Sequence, residues 1–277
     1  MQKKKKVLQV IEKSIDREIY DFSVEYTQYA GHATELAADA SKRGIDAVVA
    51  VGGDGTVNEV GRALVHSNTA MGVIPCGSGN GFARHLGIPL GAKQAIEFIN
   101  KAVPTKIDYG KINNRPFFCA CGVGFDAVVS EKFAKCGTRG LGTYIREGLK
   151  TWRIYHPETY QVTIDGVTQE HNAMFITVGN SNQWGNEAKI TPLADCSDGI
   201  LDITVVNNFK AIEIPWLAGM LMTGNAHKSP HVQTYRGKHI TITRSNEGPA
   251  HADGDWFEVG KVLDIKVIPH ALKVLVP

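Results

Sequence analysis

The feature that most constrains this chain is a pair of glycine-rich loops, each placed where an apolar strand gives way to a helix. The first loop, 52–56, follows the short apolar run 46–51, which is typical of a strand buried on both faces. The second loop, 77–80, follows the run 71–75. Successive strand–loop–helix units predict parallel strands joined by helical crossovers. The first part of the chain is therefore expected to form an α/β sheet with both loops at the carboxyl ends of its strands.

Glycines in such loops expose backbone N–H groups, and the helix that follows adds partial positive charge at its start, so a phosphate can approach closely. The glycines concerned are Gly52, Gly53, Gly55, Gly77 and Gly79. Glycine turns also join strands to helices in proteins that bind no nucleotide, but two of them at one sheet edge favour a phosphate site. Neither loop carries the lysine of G-x-x-x-x-G-K-[ST], which excludes an ordinary P-loop.

Asp54 lies inside the first loop. A carboxylate there repels phosphate unless a divalent cation lies between them or the carboxylate takes up a proton. Both are functions that phosphoryl transfer requires. The alternative is a turn aspartate that only accepts hydrogen bonds from nearby N–H groups. We predict a kinase site in which Asp54 binds Mg²⁺ or acts as the base.

The pattern changes near residue 104, where short β-rich runs and turn residues such as Asp165-Gly166 begin to dominate. This predicts a nucleotide-binding domain over 1–104 and a mostly antiparallel domain over 105–261, while the last segment, about 262–277, fits either. Strands are expected at 23–27, 105–112, 116–123, 159–164, 173–179, 200–206 and 239–243. Helices are expected at 7–15, 33–43, 80–86, 92–102, 126–136, 140–151 and 210–223, and one from Thr56.

Composition excludes two classes of protein. Thirty Lys and Arg against 28 Asp and Glu give a net charge of +2, too little for the strong field of a nucleic-acid-binding protein. No apolar run reaches the roughly 18 residues that span a bilayer, and the N-terminus lacks the apolar core of a signal peptide. We therefore expect a cytoplasmic protein.

Ordered motifs along nearly the whole chain give a more specific interpretation. The first loop belongs to Gly-Gly-Asp-Gly-Thr-x-Asn-Glu-Val at 52–60, and the second to Pro-Cys-Gly-Ser-Gly-Asn-Gly-Phe-Ala-Arg at 75–84. Further motifs are Thr27 to Leu36, Asp108-x-Gly-Lys111, Gly-Val-Gly-Phe-Asp at 122–126, Ser-Asp-Gly-Ile-Leu-Asp at 197–202 and Asp253-Gly-Asp255. Together they resemble the diacylglycerol kinase catalytic domain family, which includes bacterial soluble lipid kinases and sphingosine kinases. The resemblance implies a Rossmann-like α/β domain, as in NAD kinase and diacylglycerol kinase, and a C-terminal antiparallel β-rich sandwich for the lipid substrate.

The resemblance also implies roles for individual residues. The active-site carboxylates would be Asp54, Asp108 and Asp255, the last standing where the family usually has glutamate. The nucleotide would be surrounded by Thr27, Gly52, Gly53, Gly55, Thr56, Glu59, Gly77, Ser78, Gly79 and Asn80. Arg84, Lys135 and Arg139 would attend the phosphates or the membrane. Asp198, with backbone oxygens of Asp195 and Ile200, would hold a structural cation in the second domain, and an ordinary Asp-Gly turn is the alternative there.

The expected activity is transfer of the γ-phosphate of ATP, with Mg²⁺, to a hydroxyl of a membrane lipid of the diacylglycerol or sphingoid type. Such an enzyme would contact the inner face of the membrane transiently. Whether it forms a homodimer is left open by the sequence. A rival is NAD kinase, which shares the Gly-Gly-Asp-Gly loop.

Two departures from the family pattern matter. The family's first strand, with its Asn-Pro-x-Ser-Gly-like loop, has no counterpart, which leaves open a truncated sequence or a non-catalytic nucleotide- or lipid-binding protein. Gly81 stands where many bacterial relatives have aspartate, so the choice of lipid is open.

Overall fold

The computed structural model describes residues 2–137 and 141–276, which divide into two compact units. The first unit runs up to Ile107 and resumes at His270, and the second comprises Asp108–Pro269. The last strand, β14 (Val262–Val276), therefore begins in the second unit and ends in the first.

The first unit is an α/β domain, as predicted. Its helices are α1 (Gln2–Ser14), α2 (His32–Lys42), α3 (Asp54–Leu64), α4 (Gly81–His85) and α5 (Ala92–Ile99), and its own strands are β1 (Ala47–Gly52) and β2 (Ala70–Pro75). β1 and β2 pair in parallel from Ala47 opposite Ala70 to Gly52 opposite Pro75, so both strands end at the same edge. Val274 of β14 pairs with Met71 of β2. Every residue of β2 is buried, as a central strand of a parallel sheet requires.

Two expectations for this unit are wrong. Residues 23–27 form no strand, and Val24 and Tyr26 are exposed. β1 is not buried on both faces either, since Ala50 is its one buried residue and Val51 is exposed. Within the described part of the chain β1 pairs with β2 alone, so it is an edge strand. Alternation at 23–27 cannot make a strand without a neighbour to accept its backbone hydrogen bonds.

The described residues of the second unit form a β sandwich with three helices. The chain enters it through β3 (Val103–Ile112), and its other strands are β4 (Arg115–Phe117), β5 (Ala120–Gly124), β6 (Glu158–Ile164), β7 (Val167–Ala173), β8 (Phe175–Gly179), β9 (Leu201–Val206), β10 (Val232–Gly237), β11 (His239–Arg244), β12 (Gly248–Ala252) and β13 (Asp255–Val259). The helices are α6 (Phe125–Lys135), α7 (Leu141–Trp152) and α8 (Ile214–Thr223). Short 3₁₀ turns at Ala211–Glu213 and Ala226–Lys228 flank α8.

One sheet of this unit has the order β10–β9–β8–β5–β12–β13, with every neighbouring pair antiparallel. β11 pairs with β6 and with the first half of β14, and β6 pairs with β7 through the predicted turn at Asp165-Gly166. Tyr160, Ile176 and Ile203 lie in the core formed by both sets of strands. β7 and β10 are not expected from the sequence, because polar residues interrupt their apolar pattern.

α8 is the most unusual helix of the unit. Its sequence, Ile-Pro-Trp-Leu-Ala-Gly-Met-Leu-Met-Thr, carries no charge, yet none of its residues is buried. Helices that are apolar all round are ordinarily buried in a core or a membrane. Among the residues that the structure describes, no helix is both long and apolar enough to cross a bilayer.

Candidate active site

The two glycine loops lie in contact at the carboxyl ends of β1 and β2. The Cys76 N–H donates to the Gly52 carbonyl at 2.8 Å, which extends the strand pairing into the loops. A Cβ added to Gly77 would lie 2.6 Å from the Gly53 Cα, and one added to Gly53 would lie 3.1 Å from the Gly77 Cα. These distances leave no room for a side chain, so glycine is what allows the loops to meet.

Asp54 links the first loop to the second. Its Oδ2 accepts the Asn80 N–H at 2.9 Å, and its Oδ1 accepts the Gly81 N–H at 2.7 Å. A carboxylate held by backbone N–H groups is strongly hydrogen-bonded. Each oxygen uses one lone pair in this way and keeps another for a cation or a proton. The turn role and the chemical role considered for Asp54 are therefore compatible.

Asn80 shapes the second loop. Its Oδ1 accepts the Gly77 N–H at 2.9 Å, and its Nδ2 donates to the Gly77 carbonyl at 2.8 Å. Its φ of 52° is left-handed, a conformation that asparagine tolerates better than most residues. Arg84 supports the loop, because its Nε donates to the Gly79 carbonyl at 3.0 Å. The buried Asn80 thus holds a loop whose tip, including Ser78, is exposed.

Backbone donors at the start of α3 are available to a ligand. The first hydrogen bond within the helix runs from the Val57 N–H to the Gly53 carbonyl at 3.1 Å. The N–H groups of Asp54, Gly55 and Thr56 therefore have no acceptor inside the helix. A Cβ added to Gly55 would meet nothing within 4 Å, so the space beside these donors is open. N–H groups of this kind at a helix start bind phosphate.

Glu59, predicted to lie near the nucleotide, fixes the start of α2. Its Oε1 accepts the Gly31 N–H at 2.8 Å and its Oε2 accepts the Ala33 N–H at 3.1 Å. A carboxylate at a helix N-terminus also interacts favourably with the helix dipole. Thr27 is exposed in a segment without secondary structure. The nucleotide contacts expected of Glu59 and Thr27 stay predictions.

Asp108 is fully buried in the second unit. Its Oδ2 accepts the Gly199 N–H at 2.7 Å, and its own N–H donates to the Cys196 carbonyl at 2.6 Å. Its carbonyl accepts from the Asn180 Nδ2 at 3.0 Å. These bonds anchor the turn at 196–199, and the catalytic role expected of Asp108 stays a prediction.

The motif Asp253-Gly254-Asp255 forms the turn between β12 and β13. Asp253 and Gly254 have φ values of 50° and 85°, as a tight hairpin requires. The Asp253 carboxylate accepts the N–H groups of residues 118, 119 and 120 at 2.8, 2.7 and 3.1 Å. Asp255, the residue predicted to be catalytic, is exposed at the start of β13.

Both carboxylates of the predicted structural cation loop already have partners. Asp198 pairs with Arg236 and accepts the Ile200 N–H at 3.0 Å. The Asp195 Oδ1 accepts the Ser197 N–H at 2.9 Å and the Ser197 Oγ at 2.6 Å. Across residues 2–137 and 141–276, no three or more His, Cys, Asp or Glu side chains group as metal ligands do. The predicted site combines one carboxylate with backbone oxygens rather than a cluster of side chains, so the metal role of these residues stays a prediction.

The basic residues predicted to attend the phosphates or the membrane differ in their surroundings. Arg84 lies in α4 and supports the second glycine loop, as described above. Lys135 pairs with Glu131 at 2.5 Å and lies 4.8 Å from the centre of the Trp256 ring. Arg139 lies outside the described residues.

A buried polar cluster in the second unit is absent from the sequence predictions. The Asp126 Oδ2 lies 3.0 Å from the His251 Nε2 and accepts the Thr177 Oγ at 3.1 Å. A Cβ on Gly122 would lie 2.5 Å from the Asp126 Oδ2, which explains the glycine of the motif at 122–126. The cluster ties the start of α6 to β8 and β12, and its only sequence signal is the position of Asp126 in that motif.

Comparison with known proteins agrees with this architecture. The diacylglycerol kinase catalytic domain matches residues 1–112, and the YegS C-terminal NAD kinase beta sandwich-like domain matches residues 119–276. The chain is 29% identical over 258 residues to a diacylglycerol kinase of Bacillus subtilis (strain 168), covering 91% of this chain and 85% of that protein. It is 30% identical over 259 residues to a diacylglycerol kinase of Mycobacterium tuberculosis (strain ATCC 25618 / H37Rv), covering 90% and 82%. Its fold is similar to the crystal structure of a diacylglycerol kinase from Bacillus anthracis str. Sterne, with a TM-score of 0.74, 20% identity and coverage of 98% and 91%.

Proposed function

Because the chain belongs to the diacylglycerol kinase family of lipid kinases, we propose that its two glycine loops bind the phosphates of ATP for transfer to a diacylglycerol-type lipid. The enzyme is an ATP-dependent lipid kinase. The observation that carries the proposal is the contact of the two loops through Asp54, beside the open N–H groups at the start of α3.

The two loops position phosphate with backbone groups. The Gly55 and Thr56 N–H groups donate to phosphate oxygens, and the partial positive charge of α3 favours the anion there. Phosphoryl transfer depends mainly on positioning and electrostatic stabilisation, and rigid donors supply both. Asp54 and Asn80 provide that rigidity, since together they fix residues 77–81 by four hydrogen bonds.

Asp54 is assigned to the divalent cation. Its two oxygens are hard ligands of the kind that Mg²⁺ prefers, and one or two carboxylates with phosphate oxygens and water suffice for this ion. When bound, Mg²⁺ neutralises charge on the transferring phosphoryl group. Without a cation, the Asp54 carboxylate would repel the phosphate that the neighbouring N–H groups attract.

The acceptor lipid lies in a bilayer, so the enzyme works at a membrane surface. We assign the lipid to the second unit, consistent with the match of residues 119–276 to the beta sandwich-like domain of lipid kinase relatives. Contact with the inner face of the membrane is expected to be transient.

The test is a transfer assay with γ-³²P-ATP and Mg²⁺ over three acceptors: diacylglycerol, a sphingoid base and NAD. We expect label in phosphatidic acid. Asp54→Asn should lower that label at least about 1,000-fold, because an amide is neutral and a poor ligand for the cation. Asp39→Asn, which changes a largely exposed aspartate of the same unit, is the matched control and should act as the wild type.

Each other outcome has a meaning. Label in a sphingoid base phosphate alone would overturn the choice of lipid. Label in NAD alone, or ATP binding without transfer to any acceptor, would overturn the proposed reaction. Near-normal turnover by Asp54→Asn would remove Asp54 from its role.

A further inference from the structure

α8 is attached to the second unit by one side only. Leu221 packs on a small cluster that includes Phe175 and Ile190, and its carbonyl accepts the Lys189 N–H at 2.9 Å. Phe209, just before the helix, packs on the same cluster. The position of α8 is therefore fixed, although none of its residues is buried.

The other side of α8 presents apolar residues to the outside. Trp216 is 48% exposed, Met222 is 50% exposed and Ile212, in the preceding 3₁₀ turn, is 85% exposed. Leu193, 65% exposed, lies near the end of the helix, where a Cβ on Gly224 would be 3.8 Å from the Pro192 Cβ. These four residues, Leu193, Ile212, Trp216 and Met222, are called the α8 patch below.

Lysines flank α8 at both ends, while the exposed Glu187 and Asp195 lie two positions along the chain from Lys189 and Leu193. Lys210 precedes the helix and Lys228 follows it, and both are exposed. Lys189 adds a third positive charge beside Gly224, and a Cβ on that glycine would lie 3.2 Å from the Lys189 Cδ. The acidic residue of the segment, Glu213, is held by the Lys210 N–H at 2.7 Å and the His231 Nε2 at 2.9 Å. The α8 patch is thus an apolar surface with a lysine at each end of its helical segment.

We propose that the α8 patch docks the enzyme onto an anionic lipid bilayer, with Trp216 and Met222 inserted and the lysines at the headgroups. A ten-residue helix is about 15 Å long and cannot span a bilayer, but an apolar helix face with basic flanks binds in the interface. Tryptophan prefers that depth. A symmetric contact between two copies of the patch would instead bring the same lysines together.

The purpose of membrane docking rests on the proposed lipid kinase function. Vesicle binding is measured without ATP, so it tests the docking surface independently of that function. Sedimentation with phosphatidylcholine vesicles containing phosphatidylglycerol should show binding. Trp216→Gln with Met222→Gln should weaken binding about tenfold or more, because two inserted apolar side chains are lost. Lys210→Gln and Lys228→Gln should each weaken it about fivefold, with no effect on vesicles of phosphatidylcholine alone.

Val167→Gln is the matched control, because Val167 is 64% exposed in the same unit. β10 runs from Val232, packed on the cluster beneath α8, to Gly237, against Ile164. Val167, which pairs with Ile164, therefore lies near the end of β10 opposite to that cluster. This variant should bind vesicles as the wild type does.

Activity separates this inference from the proposed function. Transfer to diacylglycerol in vesicles should fall in the α8 double variant, while transfer to soluble dioctanoylglycerol should not change. Absence of transfer to both acceptors by the wild type would count against the proposed function and leave vesicle binding to be judged by itself. Equal vesicle binding by the wild type and the double variant would overturn the docking surface. The docking surface would also be overturned if the wild type bound no vesicles and instead formed a dimer that the double substitution dissociates.

Discussion

Two Asp-Gly dipeptides of this protein use the same hydrogen-bond chemistry in different surroundings. Asp54 accepts two backbone N–H groups from the second glycine loop, and Asp253 accepts three from residues 118–120. The donors of Asp253 lead into β5, every residue of which is buried. Asp54 stands instead beside open N–H groups at the start of α3. Hydrogen bonds to a carboxylate therefore do not distinguish a site from a structural turn, whereas unused donors beside it do.

A glycine-to-alanine substitution in each of the two regions should distinguish them most strongly. Gly77→Ala should lower kcat/KM for ATP at least about 100-fold, because a 1 Å displacement in a positioned site has an effect of that size. The cause is the Gly53 Cα, 2.6 Å from the new Cβ. Gly260→Ala, just after β13, is the control and should leave kcat/KM unchanged, because its Cβ would meet nothing within 4 Å and its φ is not left-handed. Steady-state kinetics at varied ATP measures both, and equal effects would contradict the distinction.

Replacing Asp253 is expected to lower stability and to leave catalysis unchanged. Asp253→Asn should lower the free energy of unfolding by about 2–4 kcal/mol, since its amide nitrogen faces N–H donors that lose a charged acceptor. Turnover per folded molecule should stay near that of the wild type. Urea unfolding followed by tryptophan fluorescence, with kinetics on the same samples, checks this. A large loss of turnover without loss of stability would place Asp253 in the chemistry.

Glu59 is an intermediate case, because its carboxylate caps α2 and yet the sequence places it near the nucleotide. Glu59→Gln should cost about 1–2 kcal/mol of stability through the weakened bonds to Gly31 and Ala33. If capping is its whole function, the KM for ATP will change less than about twofold. A tenfold rise in KM with unchanged stability would assign Glu59 to the nucleotide.

The smallest effect is expected at Asp202, whose carboxylate accepts a hydrogen bond from the Arg236 side chain. Burial raises the pKa of Asp202, against the opposing effect of Arg236. The folded state therefore holds the proton more tightly than the unfolded state, and stability falls as pH rises from the unfolded pKa of about 3.9 to the raised value. Asp202→Asn should lack this fall, so its stability relative to the wild type should increase over that interval. Urea unfolding at several pH values from 3.5 to 7 measures the difference, and a constant difference would contradict the shift.

The site near Asp54 could be predicted from the sequence because its parts are local. Each glycine loop is continuous with the strand before it, and the parallel pairing of β1 and β2 brings the two together. The partners of Asp108 and Asp253 could not be predicted, because Gly199 and residues 118–120 lie about 91 and 134 positions away along the chain. Local pattern carries no information about such pairs.

The same reasoning explains the errors in the fold. A strand at 23–27 is supported by alternation alone, but a strand exists only where another accepts its hydrogen bonds. β7 shows the converse, since its polar sequence Val-Thr-Gln-Glu-His-Asn-Ala pairs with β6 along its whole length. The exposure of the α8 patch could not be predicted either, because an apolar helix sequence ordinarily predicts burial.

The position of β1 at the edge of its sheet bears on how the protein behaves at high concentration. Within the described residues the outer backbone groups of β1 have no partner strand, and Val51 lies exposed on it. An edge without a strand partner can act as a template for intermolecular sheet growth, which natural proteins ordinarily limit with charge, proline or a covering segment. A lysine in place of Val51 would supply that charge, so the variant should stay monodisperse at concentrations where the wild type begins to aggregate.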